Sequence, residues 1–221
     1  MFFFGRCGAD NELTSTVVGA TGSITGTVTY SGVKFGNGGN FGNGHCPVYS
    51  NWLPLANTSK FSMDFWIKDT LGYNSGNKVY IPCYYSSGGN AVYGTFIYNS
   101  ASTLQIWIIH AVGDYTQYKF NVSYGANSIF HLAVFYDASL SNGNRIKAYI
   151  DGVALTVNSI SNDKTWDFTG KANVLSSNYV DWTNTNFFYI DNIKFRADND
   201  LIVLSQRFDE RGGMNDQCMT G

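Results

Sequence analysis

Charge is what this chain has least of. Asp, Glu, Lys and Arg make up 14% of its 221 residues, against roughly a quarter in an average domain. The 14 basic residues face 16 acidic ones, for a formal net charge of -2, and form no basic cluster. Nucleic-acid affinity rests on Lys and Arg neutralising phosphates, so DNA and RNA are excluded as partners. Proline occurs three times. No run approaches the roughly 20 apolar residues of a membrane helix, which argues against membrane insertion. The opening Met1-Phe2-Phe3-Phe4 stops at Gly5-Arg6, short of the roughly 7 to 15 apolar residues of a signal-peptide core, so no export signal is read. The four cysteines, Cys7, Cys46, Cys83 and Cys218, show no C-x-x-C spacing, which removes the usual structural zinc site. Three disulfide pairings remain open, as does none. Cys7 and Cys218 are the pair to expect if one forms, since chain termini tend to be neighbours.

What is present is apolar, aromatic and glycine-rich: 44% hydrophobic residues, 16% aromatics and 24 glycines. That supplies a core, and it leaves a surface of Asn, Ser, Thr, Gly and Tyr suited to neutral polar ligands such as sugars. The length fits one all-β domain, since sandwiches commonly run to roughly 200 to 250 residues. We expect a single unit over residues 1–221, with a loosely held tail from about Arg211.

The hydrophobic pattern recurs with period two. Phe61, Met63, Phe65 and Ile67 alternate with Ser62, Asp64, Trp66 and Lys68, predicting a half-buried strand. Leu104, Ile106, Ile108 and His110 alternate with Gln105, Trp107 and Ile109, and Ile146, Ala148 and Ile150 with Arg145, Lys147 and Tyr149. Ile129 to Tyr136 is apolar at nearly every position, as in a central strand covered on both sides. Asp151-Gly152 between two short apolar runs is a hairpin signal, because a type I′ turn needs positive φ at both central residues. Phe187 to Phe195 reads as a late strand, with Leu201 to Leu204 returning beside it across Asp198-Asn199-Asp200.

Four segments then occur in a telling order: Lys34-Phe35-Gly36-Asn37-Gly38; Phe61 to Lys68; Phe130 to Asp137 with Ala148-Tyr149-Ile150-Asp151-Gly152; and Tyr189 to Phe195. This order resembles the laminin-G-like pattern of the concanavalin-A-like lectin and glucanase superfamily. The resemblance implies a two-sheet antiparallel jelly-roll sandwich that binds glycans or proteins, often with a structural calcium ion. The chain departs from the pattern at two places. Asp191-Asn192 stands where an Asp-Glu pair is common, and Phe41-Gly42-Asn43-Gly44 where an Asp-Gly often follows.

Catalysis finds little support. Some jelly-roll relatives are glucanases with closely spaced Glu and Asp on one strand, but Glu12 and Glu210 are the only glutamates and no E-x-D-x-E run occurs. His45, His110 and His131 are isolated and no G-x-S-x-G elbow exists. His131, inside a buried strand, reads as a satisfied core histidine, and His45 beside Cys46 is a weak metal signal. The densest oxygen clusters are Asp10-Asn11-Glu12 and Asp198-Asn199-Asp200. Asp10, Glu12, Asp198 and Asp200 are therefore the candidate calcium ligands, against the alternative that these residues serve turn chemistry.

Sugar binding needs an aromatic face beside hydrogen-bonding groups. Trp52, Tyr73, Tyr115, Trp166, Tyr179 and Trp182 sit in or beside polar segments and are the candidates, against the alternative that they fill the core. Trp66 and Trp107 fall on strands and are set apart from that list. The preferred reading is a non-catalytic recognition module for carbohydrate or a glycosylated surface. A second is a structural or receptor-binding surface protein of a virus or phage particle, acting as an oligomer or with an assembly partner. A polysaccharide hydrolase is the third. The first two place the protein on an extracellular-facing or virion surface.

Overall fold

Strand propensity and period-two alternation dominate the computed structural model. It describes residues 2–5, 9, 16–17, 20–40, 46–52, 59–73, 77–87, 90–100, 102–165, 173–175 and 188–197. Among these residues every regular element is a strand. In chain order they are β1 (Phe2–Gly5), β2 (Thr16–Val17), β3 (Ala20–Thr25), β4 (Thr29–Gly32), β5 (Asn37–Asn40) and β6 (Cys46–Trp52). There follow β7 (Lys60–Asp69), β8 (Asn77–Ser87), β9 (Asn90–Ser100), β10 (Thr103–Ala111), β11 (Asp114–Asn121) and β12 (Ser128–Asp137). The last are β13 (Ile146–Ile150), β14 (Val153–Ala154), β15 (Val157–Ser161), β16 (Asn173–Leu175) and β17 (Phe188–Ala197).

They form two antiparallel sheets, a jelly-roll sandwich. The first has the order β14-β13-β12-β7-β17-β5-β4, with β1 also paired to β17; the second runs β15-β11-β10-β9-β8-β16-β6-β3-β2. The inward positions of the first sheet bring Phe61, Met63, Phe65 and Ile67 together with Phe130, Leu132, Val134, Tyr136, Ile146, Ala148, Phe188 and Ile190. The second contributes Ile97, Leu104, Ile106, Ile108, Tyr118 and Phe120. Burying a large apolar side chain of this kind stabilises by about 1.5 to 3 kcal/mol. Phe61 and Tyr136, opposed across β7 and β12, stack with ring centroids 5.2 Å apart.

The Asp151-Gly152 hairpin forms as its sequence demands, with φ of 50° and 80° between β13 and β14. Two expectations change. The strand at Phe61–Lys68 is not half-buried, because Ser62 and Asp64 on its polar side are 2% and 3% exposed. It lies between β12 and β17, so neighbours flank it on both edges and its small and acidic side chains are enclosed. Conversely Ile129, expected under cover, is 40% exposed. It faces outward opposite Lys68 at the end of the strand. The proposed return strand at Leu201–Leu204, the tail from Arg211, and Cys7 and Cys218 lie outside the described residues.

The two sheets are tied at one edge by polar chemistry. Arg145, just before β13, donates from Nη1 to Asp163 Oδ1 at 2.6 Å, and the buried Tyr118 hydroxyl on β11 donates to the same oxygen at 2.9 Å. Burial and the adjoining Asp163 carboxylate push the Tyr118 phenol well above its ordinary value. At one end of the core, Asp69 Oδ1 accepts the backbone N–H groups of Leu71 and Gly72 at 3.0 and 2.9 Å. Its Oδ2 accepts the Tyr124 hydroxyl at 3.2 Å.

Candidate functional site

Side chains that alternate with Leu104, Ile106 and Ile108 lie on the other side of the second sheet, and there, up to the buried Ile109 opposite Tyr115, they build a polar and aromatic ladder. On β10 it carries Thr103, Gln105 and Trp107; on β11 it carries Tyr115, Gln117 and Lys119. The register sets Trp107 opposite Gln117 and Gln105 opposite Lys119. Trp107 and Tyr115 lie diagonally and stack, with centroids 4.3 Å apart and planes 29° from parallel. Such pairs add about 0.5 to 1.5 kcal/mol beyond area burial.

One amide organises the ladder. Gln105 Oε1 accepts from Trp107 Nε1 at 3.1 Å and from Gln117 Nε2 at 2.6 Å. Its own Nε2 donates to Thr103 Oγ1 at 3.1 Å, which in turn donates to the Ser100 carbonyl at 3.0 Å. The indole N–H is thus held within the protein and the ring orientation is fixed.

The loop that follows β15 is clamped beside Tyr115. Thr116 Oγ1 donates to the Asn162 carbonyl at 2.6 Å and accepts the Lys164 backbone N–H at 3.0 Å. A hydroxyl has one proton, so His110 Nε2, 3.0 Å away, is the donor to that oxygen. Asn162, at φ of 51°, donates from its amide to Asp114 Oδ1 and to the Tyr115 carbonyl at 3.0 and 3.1 Å. Lys164 Nζ reaches both Asp114 oxygens at 2.7 Å. Hydrogen bonds from Lys164 and then Asn162 hold the Asp114 carboxyl below the usual carboxylate range.

Tyr115 is therefore the one sequence candidate that the described residues bring into a shared surface. Tyr73 packs on the core cluster, with its ring 5.9 Å from Tyr124. Trp52 ends β6. Trp166, Tyr179 and Trp182 lie outside the described residues, as do Asp10, Glu12, Asp198 and Asp200, on which the calcium expectation rests. Among the described residues, no three His, Cys, Asp or Glu side chains gather as a metal group. Trp107 is the residue the sequence reading passed over because it falls on a strand. Its position was legible from parity, since it alternates out of step with three buried aliphatics.

His131 is buried and satisfied, though outside the core between the sheets where it was expected. It lies on the outer side of the first sheet with Nε2 3.2 Å from Asp64 Oδ1, an arrangement in which the ring N–H donates to the carboxylate. Its backbone N–H donates to Asp151 Oδ1 at 2.8 Å.

No family model matches the chain, and no curated protein matches it. Solved structures do. One is of botulinum neurotoxin type C, whose cell entry depends on interaction with two ganglioside molecules; it is 19% identical, with a TM-score of 0.57, over 88% of this chain and 47% of that one. The botulinum neurotoxin type G receptor-binding domain is 14% identical, with a TM-score of 0.59, over 96% and 50%. The binding domain of botulinum neurotoxin DC in complex with rat synaptotagmin II is 12% identical, with a TM-score of 0.59, over 93% and 49%. The likeness is one of fold, and the chain spans about half the length of these structures.

Proposed function

We propose that this protein is a non-catalytic recognition module that binds carbohydrate through the outer face of β10 and β11. The observation that carries this reading is the Trp107–Tyr115 stack, held in place by the Gln105 amide. Sugar rings present C–H surfaces that lie on aromatic faces, and their hydroxyls need donors and acceptors alongside. Gln117, Lys119 and Thr103 supply both kinds on the same face. Because the rings are fixed before a ligand arrives, little side-chain freedom is lost on binding.

The segment order that resembles the laminin-G-like pattern supports the same reading, since that pattern belongs to glycan- and protein-binding sandwiches. So does the fold shared with receptor-binding domains of toxins, one of which depends on gangliosides for cell entry. These likenesses equally support a receptor-binding role on a larger surface protein, which this module would serve through the same face. Neither needs a catalytic pair.

A glycan array probed with the purified chain tests the proposal. Specific signals that fall at least tenfold in both Trp107→Ala and Tyr115→Ala, with folding intact by circular dichroism, are expected. A blank array, or signals indifferent to both substitutions, would remove the reading.

A further inference from the structure

The outer side of the first sheet is built differently. The turn between β4 and β5, Val33 to Gly36, is closed by a hydrogen bond from Val33 N–H to the Gly36 carbonyl at 2.6 Å. It reaches across the sheet so that the Phe35 ring meets Trp66 edge-on, with centroids 5.4 Å apart at 87°. Lys34 Nζ stands 5.6 Å over the same indole. On its other side Trp66 meets His131 at 5.2 Å. One step along the strands the register sets Tyr189, Lys68 and Ile129 in a row. There Lys68 Nζ lies 5.9 Å over the Tyr189 ring and donates to Ser31 Oγ at 3.2 Å.

Phe35 at 52%, Ile129 at 40% and Leu71 at 38% are three of the six large apolar side chains exposed among the described residues. All three belong to this end of β7: Phe35 touches Trp66, Ile129 opposes Lys68, and Leu71 follows the strand. Two of the carboxylates on the same face are enclosed, Asp64 on His131 and Asp191 within the sheet, and Asp137, at the other end of β12, is paired with Lys60 at 2.9 Å. The exposed Asp151 stands on the far side of His131, whose backbone it accepts.

We propose that this end of the first sheet is a docking surface for a lipid bilayer containing anionic lipid. Exposed Phe and Ile flanked by Trp, Tyr and Lys match the layers of a bilayer surface. Apolar groups enter the acyl boundary, amphipathic rings sit at headgroup depth, and ammonium groups meet phosphate and carboxylate. Sugar recognition would explain the rings but not the exposed Ile129 and Leu71. The contact is peripheral and needs no spanning segment; among the described residues no helix is long and apolar enough to cross a membrane.

The test is co-sedimentation of the full chain with phosphatidylcholine vesicles and with vesicles in which part of that lipid is replaced by phosphatidylserine. Binding to the second kind, weakening as salt is raised, is expected. Replacing both lysines, Lys34→Gln with Lys68→Gln, should weaken it by on the order of twentyfold, at about fivefold per lysine. Phe35→Ser with Ile129→Ser should weaken it at least tenfold, and both side chains are exposed enough to change without harm to the core. Equal behaviour toward the two vesicle types, no binding to either, or indifference to both double substitutions would overturn the proposal. The vesicles carry no sugar and lie on the opposite sheet from Tyr115, so Tyr115→Ala should bind them normally. Failure here therefore leaves the carbohydrate reading untouched, and the reverse holds.

Discussion

The two outer faces of the sandwich come from the same period-two alternation and differ in what their rings lean on. Across β10 and β11, Trp107 is fixed by hydrogen bonding, its N–H spent on Gln105. Beside Tyr115, the charged pair among the described residues is the closed Asp114–Lys164 contact. Across β7 and its neighbours, Trp66 is fixed by packing, between Phe35 and His131 with an ammonium above it. The first arrangement leaves a face of amides and rings with Lys119 at its edge. The second leaves apolar and cationic groups toward solvent at the end of β7 and encloses Asp64 and Asp191 beside them. Alternation decides that a side chain points outward, and its lateral neighbours decide what it offers.

The strongest way to break this comparison is to cut the tie that both sheets share. Arg145 and Asp163 have side chains only 12% and 9% exposed, and removing one partner leaves a charge enclosed. Arg145→Ala should therefore cost about 3 kcal/mol in urea unfolding. It should lower glycan and vesicle binding together at temperatures where the variant is partly unfolded. Separate transitions for the two activities would show that the faces are independent units.

Next in size is a substitution confined to the first sheet. A Cβ on Gly38 would fall 2.6 Å from Val33 Cγ2 and 2.7 Å from the Ile190 carbonyl oxygen, so Gly38→Ala must push the β4–β5 turn away from β17. About 2 kcal/mol of overpacking cost is expected, with vesicle binding reduced and glycan binding unchanged at temperatures where the fold persists. Loss of both would dissolve the distinction.

Smaller, and confined to the second sheet, is Gln105→Leu. It removes the acceptor that orients Trp107, so about 1 kcal/mol of ordering would be required of the ligand and glycan affinity should fall roughly fivefold, with vesicle binding unaffected. The smallest effect is one of pH. The Tyr118 phenol has a raised pKa in the folded state, so its contribution is fully present below the ordinary tyrosine value of about 10 and is lost as pH rises above it. Stability should decline in that alkaline range, and the decline should be shallower in Tyr118→Phe. Identical alkaline profiles would mean the Arg145–Asp163–Tyr118 tie does not carry the shift.

Much of the fold was legible because its signals are local. The hairpin at Asp151-Gly152 follows from backbone sterics at two residues, and the burial of Leu104, Ile106 and Ile108 follows from parity. Of the proposed site, Tyr115 is legible from its polar surroundings, whereas Trp107, lying on a strand, is marked only by its parity against Leu104, Ile106 and Ile108. The Lys34-Phe35 segment entered only as part of a resemblance. Nothing in its own residues says that its turn crosses β17 to reach Trp66.

By itself the sequence determined the strand class, the inward faces, the turn that needs positive φ and the shortage of charge, since each depends on residues within a few positions of one another. The tertiary structure alone decided that β7 lies between β12 and β17, whose partners are distant in the chain, and so enclosed Ser62 and Asp64 on a strand that looked half-exposed. It also decided which indole would hydrogen-bond an amide and which would stand beside a lysine. Those are lateral contacts across strands, and lateral register is set by the packing of the whole sandwich rather than by any one segment.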